Sequence, residues 1–79
     1  MNEELLPLSQ LPLGRSARVS LLQCEGGIRR RMLDLGLVAD TLVEALQKSP
    51  SGDPTAYDVR GAVIAIRSDE AANILVRAV

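Results

Sequence analysis

The side chains that could do chemistry are few, and their spacing argues against catalysis. Histidine is absent and Cys24 is the single cysteine. An internal disulfide, a Cys/His zinc site, a Ser-His-Asp triad and a Cys-His dyad are therefore excluded. Ser16, Ser20 and Ser68 have no histidine to activate them and no lysine close in sequence. Ten acidic residues are present, yet none falls in a pairing that would hold one carboxyl protonated beside an ionised neighbour. Glu3 and Glu4 are terminal, Asp53 lies in a loop, and Asp69 and Glu70 suit a helix start. Gly26-Gly27 lacks the GxxxxGK[ST] pattern of a phosphate cradle, and Lys48 is the one lysine. Only oxygen ligands remain for a metal, and Asp53 and Asp58 flank a proline turn rather than alternating along a hard-cation loop. No catalytic, cofactor or metal residue is assigned, and the chain reads as a non-enzyme.

The most marked local feature is Arg29-Arg30-Arg31. On a helix the three guanidiniums lie about 100°, 200° and 300° from Ile28, so they form no single flat basic face. Asp34 stands four residues after Arg30 and three after Arg31, spacings worth about 0.2–0.5 kcal/mol per pair on a solvated helix surface. The alternative is docking, since arginine is favoured in partner interfaces. Leu33, at about 140°, falls between Arg29 and Arg30 and off the apolar stripe. It either plugs a barrel mouth or stands exposed as an apolar anchor rimmed by arginines, which is how a hot spot is built. Arg29, Arg30 and Leu33 are the candidate docking residues.

The elements that must position these residues are short. A chain of 79 residues makes one small domain, residues 1–79, without room for a second. Its hydrophobic fraction is 47%, with Tyr57 the one aromatic, so the core must be aliphatic. A net charge of −1 and the lack of stacking aromatics argue against nucleic acid as a partner. Cys24, without a mate, reads as a small semi-buried hydrophobe suited to a reducing compartment. The start, Met1-Asn2-Glu3-Glu4, is acidic where a leader would be basic. No apolar run reaches the roughly 18 residues of a span. A soluble, cytoplasmic protein without membrane insertion is expected.

Prolines keep residues 5–14 out of any helix or central strand, leaving an extended lead-in and a turn at Leu11-Pro12-Leu13-Gly14, with Gly14 at its fourth position. Weak self-association through this leucine-rich start stays open. Ala17–Leu21 alternates as a strand with Ala17, Val19 and Leu21 facing in. Residues 28–35 switch to helical period, with Ile28, Met32 and Leu35 on one stripe and Gly36 as a left-handed cap. Thr41–Lys48 returns to strand composition, and 49–54 is a turn-rich loop containing Gly52, Asp53 and Pro54. Tyr57–Arg60 alternates with Tyr57 and Val59 inward, and Gly61 bends the chain. Ala62–Ile66, apolar on both faces, is expected to be the most buried strand. Ser68 suits an N-cap for a helical turn over about 69–73, before a last strand, Leu75–Val79. About five short strands, one amphipathic helix and no long βαβ unit predict a mostly β fold, a small antiparallel barrel whose closure removes the edges.

The order of motifs carries a resemblance. Leu11-Pro12-Leu13-Gly14 precedes Arg31-Met32-Leu33-Asp34-Leu35-Gly36, which is similar to an R-L-x-x-L-G helix ending. Gly52-Asp53-Pro54 is similar to a G-D-P turn, and Tyr57–Gly61, Ile64–Arg67, Glu70-Ala71 and Ile74–Val76 follow. In this order and spacing the chain resembles the ferrous iron transport protein A (FeoA) family over essentially its whole length. The resemblance implies an SH3-like barrel with an inserted helix. It further implies a cytosolic accessory role with the GTPase-bearing membrane transporter, ferrous iron transport protein B, as partner. Two positions depart from the pattern. Ala39-Asp40 replaces the usual Pro-Gly, and because Asp tolerates positive φ better than most residues the turn is expected to survive with some strain. Thr55-Ala56 replaces a larger apolar pair. Two other readings use the same barrel: a module associating with an iron-dependent transcription regulator, and a generic protein-interaction module with a peptide groove.

Overall fold

The computed structural model describes residues 4–79, and the acidic start, Met1-Asn2-Glu3, lies outside them. Among the described residues six strands form: β1 (Leu5–Pro7), β2 (Ser16–Leu22), β3 (Leu42–Lys48), β4 (Thr55–Val59), β5 (Ala62–Ile66) and β6 (Ile74–Ala78). Two helices join them, α1 (Gly26–Asp34) and the single turn α2 (Ser68–Ala71), with a 3-10 turn at Leu8–Gln10. All pairings are antiparallel in the spatial order β1-β6-β2-β3-β4-β5. The sheet is not closed. The expected barrel stays an open roll, with β1 and β5 as its edges. The sixth strand is β1, which fits an edge because Pro7 at its end has no N–H to donate.

The alternating segments face as their pattern dictates. Ala17 and Val19 on β2 and Thr55, Tyr57 and Val59 on β4 turn inward, along with Val43 and Ala45 on β3 and Ile74 and Val76 on β6. One inward assignment fails at Leu21, which is 43% exposed while Leu22 is buried. The register between β2 and β6 shifts between Val19 and Leu21. A bulge there inserts one residue, and with a side-chain period of two every later side chain changes face. A second shift lies between Ala45 and Gln47 on β3. Ala62–Ile66 is likewise not the most buried strand. It is the uncovered edge, with Val63 69% exposed and Ile66 alone buried.

The lead-in packs as a lid over the core. Leu8 and Leu11 are buried, while Leu5 and Leu13 are exposed. Its turn falls one residue later than expected: Arg15 N donates to Pro12 O at 3.1 Å, and Gly14 takes the third position with φ +85°. That left-handed value belongs to a type II geometry, which favours glycine. Tyr57 fixes the lid from below, its buried hydroxyl donating to Leu8 O at 3.3 Å. On α1 the buried face is narrower than the predicted stripe. Met32 is buried and Leu35 half-buried, but Ile28 is 48% exposed. Asp40 adopts φ +71° in the turn before β3, the conformation glycine would take more easily. Arg77 holds its carboxylate at 3.2 Å and Arg18 donates to its carbonyl at 3.0 Å.

The cap of α2 also differs from the expectation. Ser68 is the first helical residue, and Arg67 occupies the cap position without a side-chain bond. The capping oxygen comes from the distant loop, where Asp53 accepts from Ser68 N at 2.8 Å and from Ser68 Oγ at 3.3 Å. A carboxylate at a helix start answers both the orphan donors and the dipole. Replacing Asp53 by Ala should cost about 1 kcal/mol of unfolding free energy in urea titrations, while Asp53→Asn, which keeps an acceptor, should restore most of it.

A second test concerns alkali. Burial pushes the Tyr57 phenol above its ordinary value of 10.0, against a hydrogen bond with Thr55 that lowers it and with the Asp53 charge raising it further. The folded state therefore holds this proton more tightly than the unfolded one. The stabilisation is fully present below pH 10.0 and is lost as pH rises through the higher folded value. Tyr57→Phe should be less stable at neutral pH by about 1 kcal/mol. Its stability should also fall less steeply than that of the parent chain above pH 10.0.

Candidate docking site

The site grows from the way α1 leaves the sheet. Glu25 precedes the helix in extended conformation and offers no side-chain cap, and Gly26-Gly27 form its first residues. The helix ends by glycine chemistry: Gly36 has φ +98°, and a Cβ there would come within 3.3 Å of the Arg60 side chain. With Met32 held in the core, the helical period turns Leu33 outward, and it is 38% exposed. Leu33 is not a plug. It is a ridge between two surface depressions that share Arg29 and Leu33. One, of about 310 Å³, is completed by Gly26, Arg30 and Asp34. The other, of about 360 Å³, is floored by Val19–Leu22 of β2 together with Leu37 and Ala39.

The three arginines have separate fates. Arg29 folds back and donates to Leu22 O at 3.3 Å, which pins its stem beside Leu33. Arg31 turns the other way and pairs with Glu70 at α2. The expected pairing with Asp34 does not form, and among the described residues neither Arg30 nor Asp34 takes an ion pair. Arg29, Arg30 and Leu33 thus share one surface and Arg31 leaves it. Sequence reasoning missed its apolar neighbour Leu21, which lines the second depression and is 43% exposed. The adjacent pair Leu21-Leu22 was the available signal, because only one of two neighbours on a strand can face the core.

The remaining candidates serve structure. Gly14, Gly52 and Gly61 all have positive φ, and the Asp53–Pro54 peptide is cis. Ser49 Oγ and Ser51 Oγ both donate to Asp53 O, at 2.7 and 3.0 Å. The sole aromatic, Tyr57, is buried, so no aromatic groove exists for a proline-rich ligand. Among the described residues no group of three or more His, Cys, Asp or Glu side chains could hold a metal ion, and no helix is long and apolar enough to cross a membrane.

Comparison with known proteins places this geometry. The model of the FeoA domain matches residues 6–78. The FeoA protein from Chlorobium tepidum is 35% identical, with 94% of this chain and 70% of that one covered at a TM-score of 0.87. A zinc-complexed FeoA from Stenotrophomonas maltophilia, described as an SH3 domain protein, is 36% identical, with 87% and 86% covered at a TM-score of 0.78. T. acidophilum IdeR shares the fold alone, at 22% identity and a TM-score of 0.83, with all of this chain and 36% of that one covered. No curated protein sequence matches the chain. With an SH3-like open roll and a family match across nearly its whole length, the chain belongs to the FeoA family.

Proposed function

We propose that this chain is a non-enzymatic accessory protein of bacterial ferrous iron uptake. It acts in the cytoplasm by binding the cytosolic part of the GTP-hydrolysing transporter, ferrous iron transport protein B. Family membership supports the iron-uptake role, and the Stenotrophomonas maltophilia relative is described as a candidate ferrous iron transport activating factor. The observation that carries the binding mode is Leu33, an exposed leucine fixed on a rigid helix with Arg29 and Arg30 at its side. An apolar side chain held out by a helix costs little backbone freedom when a partner covers it. Arginine at its rim then adds bonds to carboxylates. Arg30 is the group with most to gain, since among the described residues it pairs with no acid.

The test is capture of the transporter from detergent-solubilised membranes by the immobilised chain. Leu33→Asp combined with Arg30→Glu should lower capture at least tenfold (about 1.4 kcal/mol), with an unchanged melting temperature showing that the fold survives. Unchanged capture would move the contact to another face. Failure of the parent chain to retain any GTPase-bearing transporter would remove the partner itself.

A further inference from the structure

The outward face of the sheet carries a charge arrangement that folding does not explain. Arg18 on β2 lies directly opposite Arg77 on β6, and on its other side opposite Leu42 on β3. Two residues further along β3, Glu44 lies directly opposite Asp58 on β4. Like charges facing each other across strands oppose folding. Here one such pair of each sign sits on the same face, a strand apart. Within the chain Asp40 answers the basic pair, through its carboxylate to Arg77 and its carbonyl to Arg18. Nothing comparable answers the acidic pair. Asp58 accepts one backbone bond, from Gly61 N at 3.1 Å, and among the described residues neither carboxylate meets a cation.

We propose that this face docks on the same face of a second copy across a two-fold axis. The reason is self-complementarity: the basic and acidic pairs are neighbours. A two-fold axis lying in the interface between them sets the Arg18 side of each copy over the Glu44–Asp58 side of the other, and the contact is made twice. The axis passes close to Leu42, which neighbours both pairs on β3 and is 47% exposed, so the two leucines cover each other at the centre. A small charged patch of this kind gives weak, salt-sensitive association. It adjoins the α1 surface at Val19 and Ala39 but shares no residue with it, and it does not depend on the role proposed for that surface.

The substitutions that test it have an unusual signature. Arg18→Glu places a carboxylate opposite Arg77, and Glu44→Arg places a guanidinium opposite Asp58. Each replaces a like pair by an opposite one, so Glu44→Arg should melt no lower than the parent, while Arg18→Glu, which also gives up the bond to Asp40 O, should melt close to it. Sedimentation of the full chain should show a reversible dimer at about 10 mM salt that is lost near 1 M, as the screening length falls from about 30 to about 3 Å. Each variant alone should self-associate at least tenfold more weakly. An equimolar mixture should recover the parent's affinity, because the new carboxylate of one copy then faces the new guanidinium of the other and the contact returns with its signs exchanged. A parent chain that stays monomeric up to about 1 mM at low salt, the concentration scale of the weakest measurable contacts, overturns the proposal. Parent-like dimerisation of either variant, or no recovery in the mixture, overturns it as well.

Discussion

Two inserted residues, one after Val19 on β2 and one after Ala45 on β3, shape everything else in this molecule. A bulge bends its strand and steepens the twist. In the two central strands that bend turns a six-stranded sheet into a roll with one concave face. The concavity is then filled by aliphatic side chains from the strands, by Leu8 and Leu11 of the lead-in, and by Met32 of α1. Tyr57 is the one large ring available, and it ties the roll to the lead-in through Leu8. The roll stops short of closure, so β5 remains an edge without prolines, charges or bulges of its own. Arg60 and Arg67 flank it, as charged residues commonly flank exposed apolar strands and restrain unwanted pairing.

The same bend prepares the surface on which function is argued. By inserting a residue after Val19, the β2 bulge sends Leu21 outward beside α1. The helix, anchored by Met32 and ended by Gly36, has no freedom to hide Leu33. Arg31 is drawn to Glu70 and helps tie α1 to α2, leaving Arg29 and Arg30 with Leu33. An apolar ridge with arginine beside it follows from packing alone.

What the sequence made legible was local. The alternation of Ala17 and Val19, and of Tyr57 and Val59, fixed which face of β2 and β4 is buried, because a period of two leaves no other choice. The helix and its glycine ending were readable from Met32, Leu35 and Gly36. What stayed hidden depended on residues far apart. Leu21 could not be told from Leu22 without the pairing to β6. Ile28 lies on the right angle of the helix and is exposed all the same. An apolar strand such as Ala62–Ile66 looks the same whether it is central or an open edge, and only the topology decides. Asp53 and Ser68, or Arg31 and Glu70, are brought together by the roll and carry no mutual signal in the chain. For the site, the angle of Leu33 was readable, whereas its apolar floor from β2 was not.

The most direct measurement of the central claim is amide hydrogen exchange of the full chain, alone and mixed with the cytosolic part of ferrous iron transport protein B. The first turn of α1 has no intrahelical partners for its N–H groups and should exchange quickly in the free protein. Slower exchange on mixing, centred on Gly26–Leu33 and reaching Leu21 and Leu22 while β5 is unchanged, is the predicted result. Exchange unaltered at α1, or slowed along β5 alone, would contradict the account.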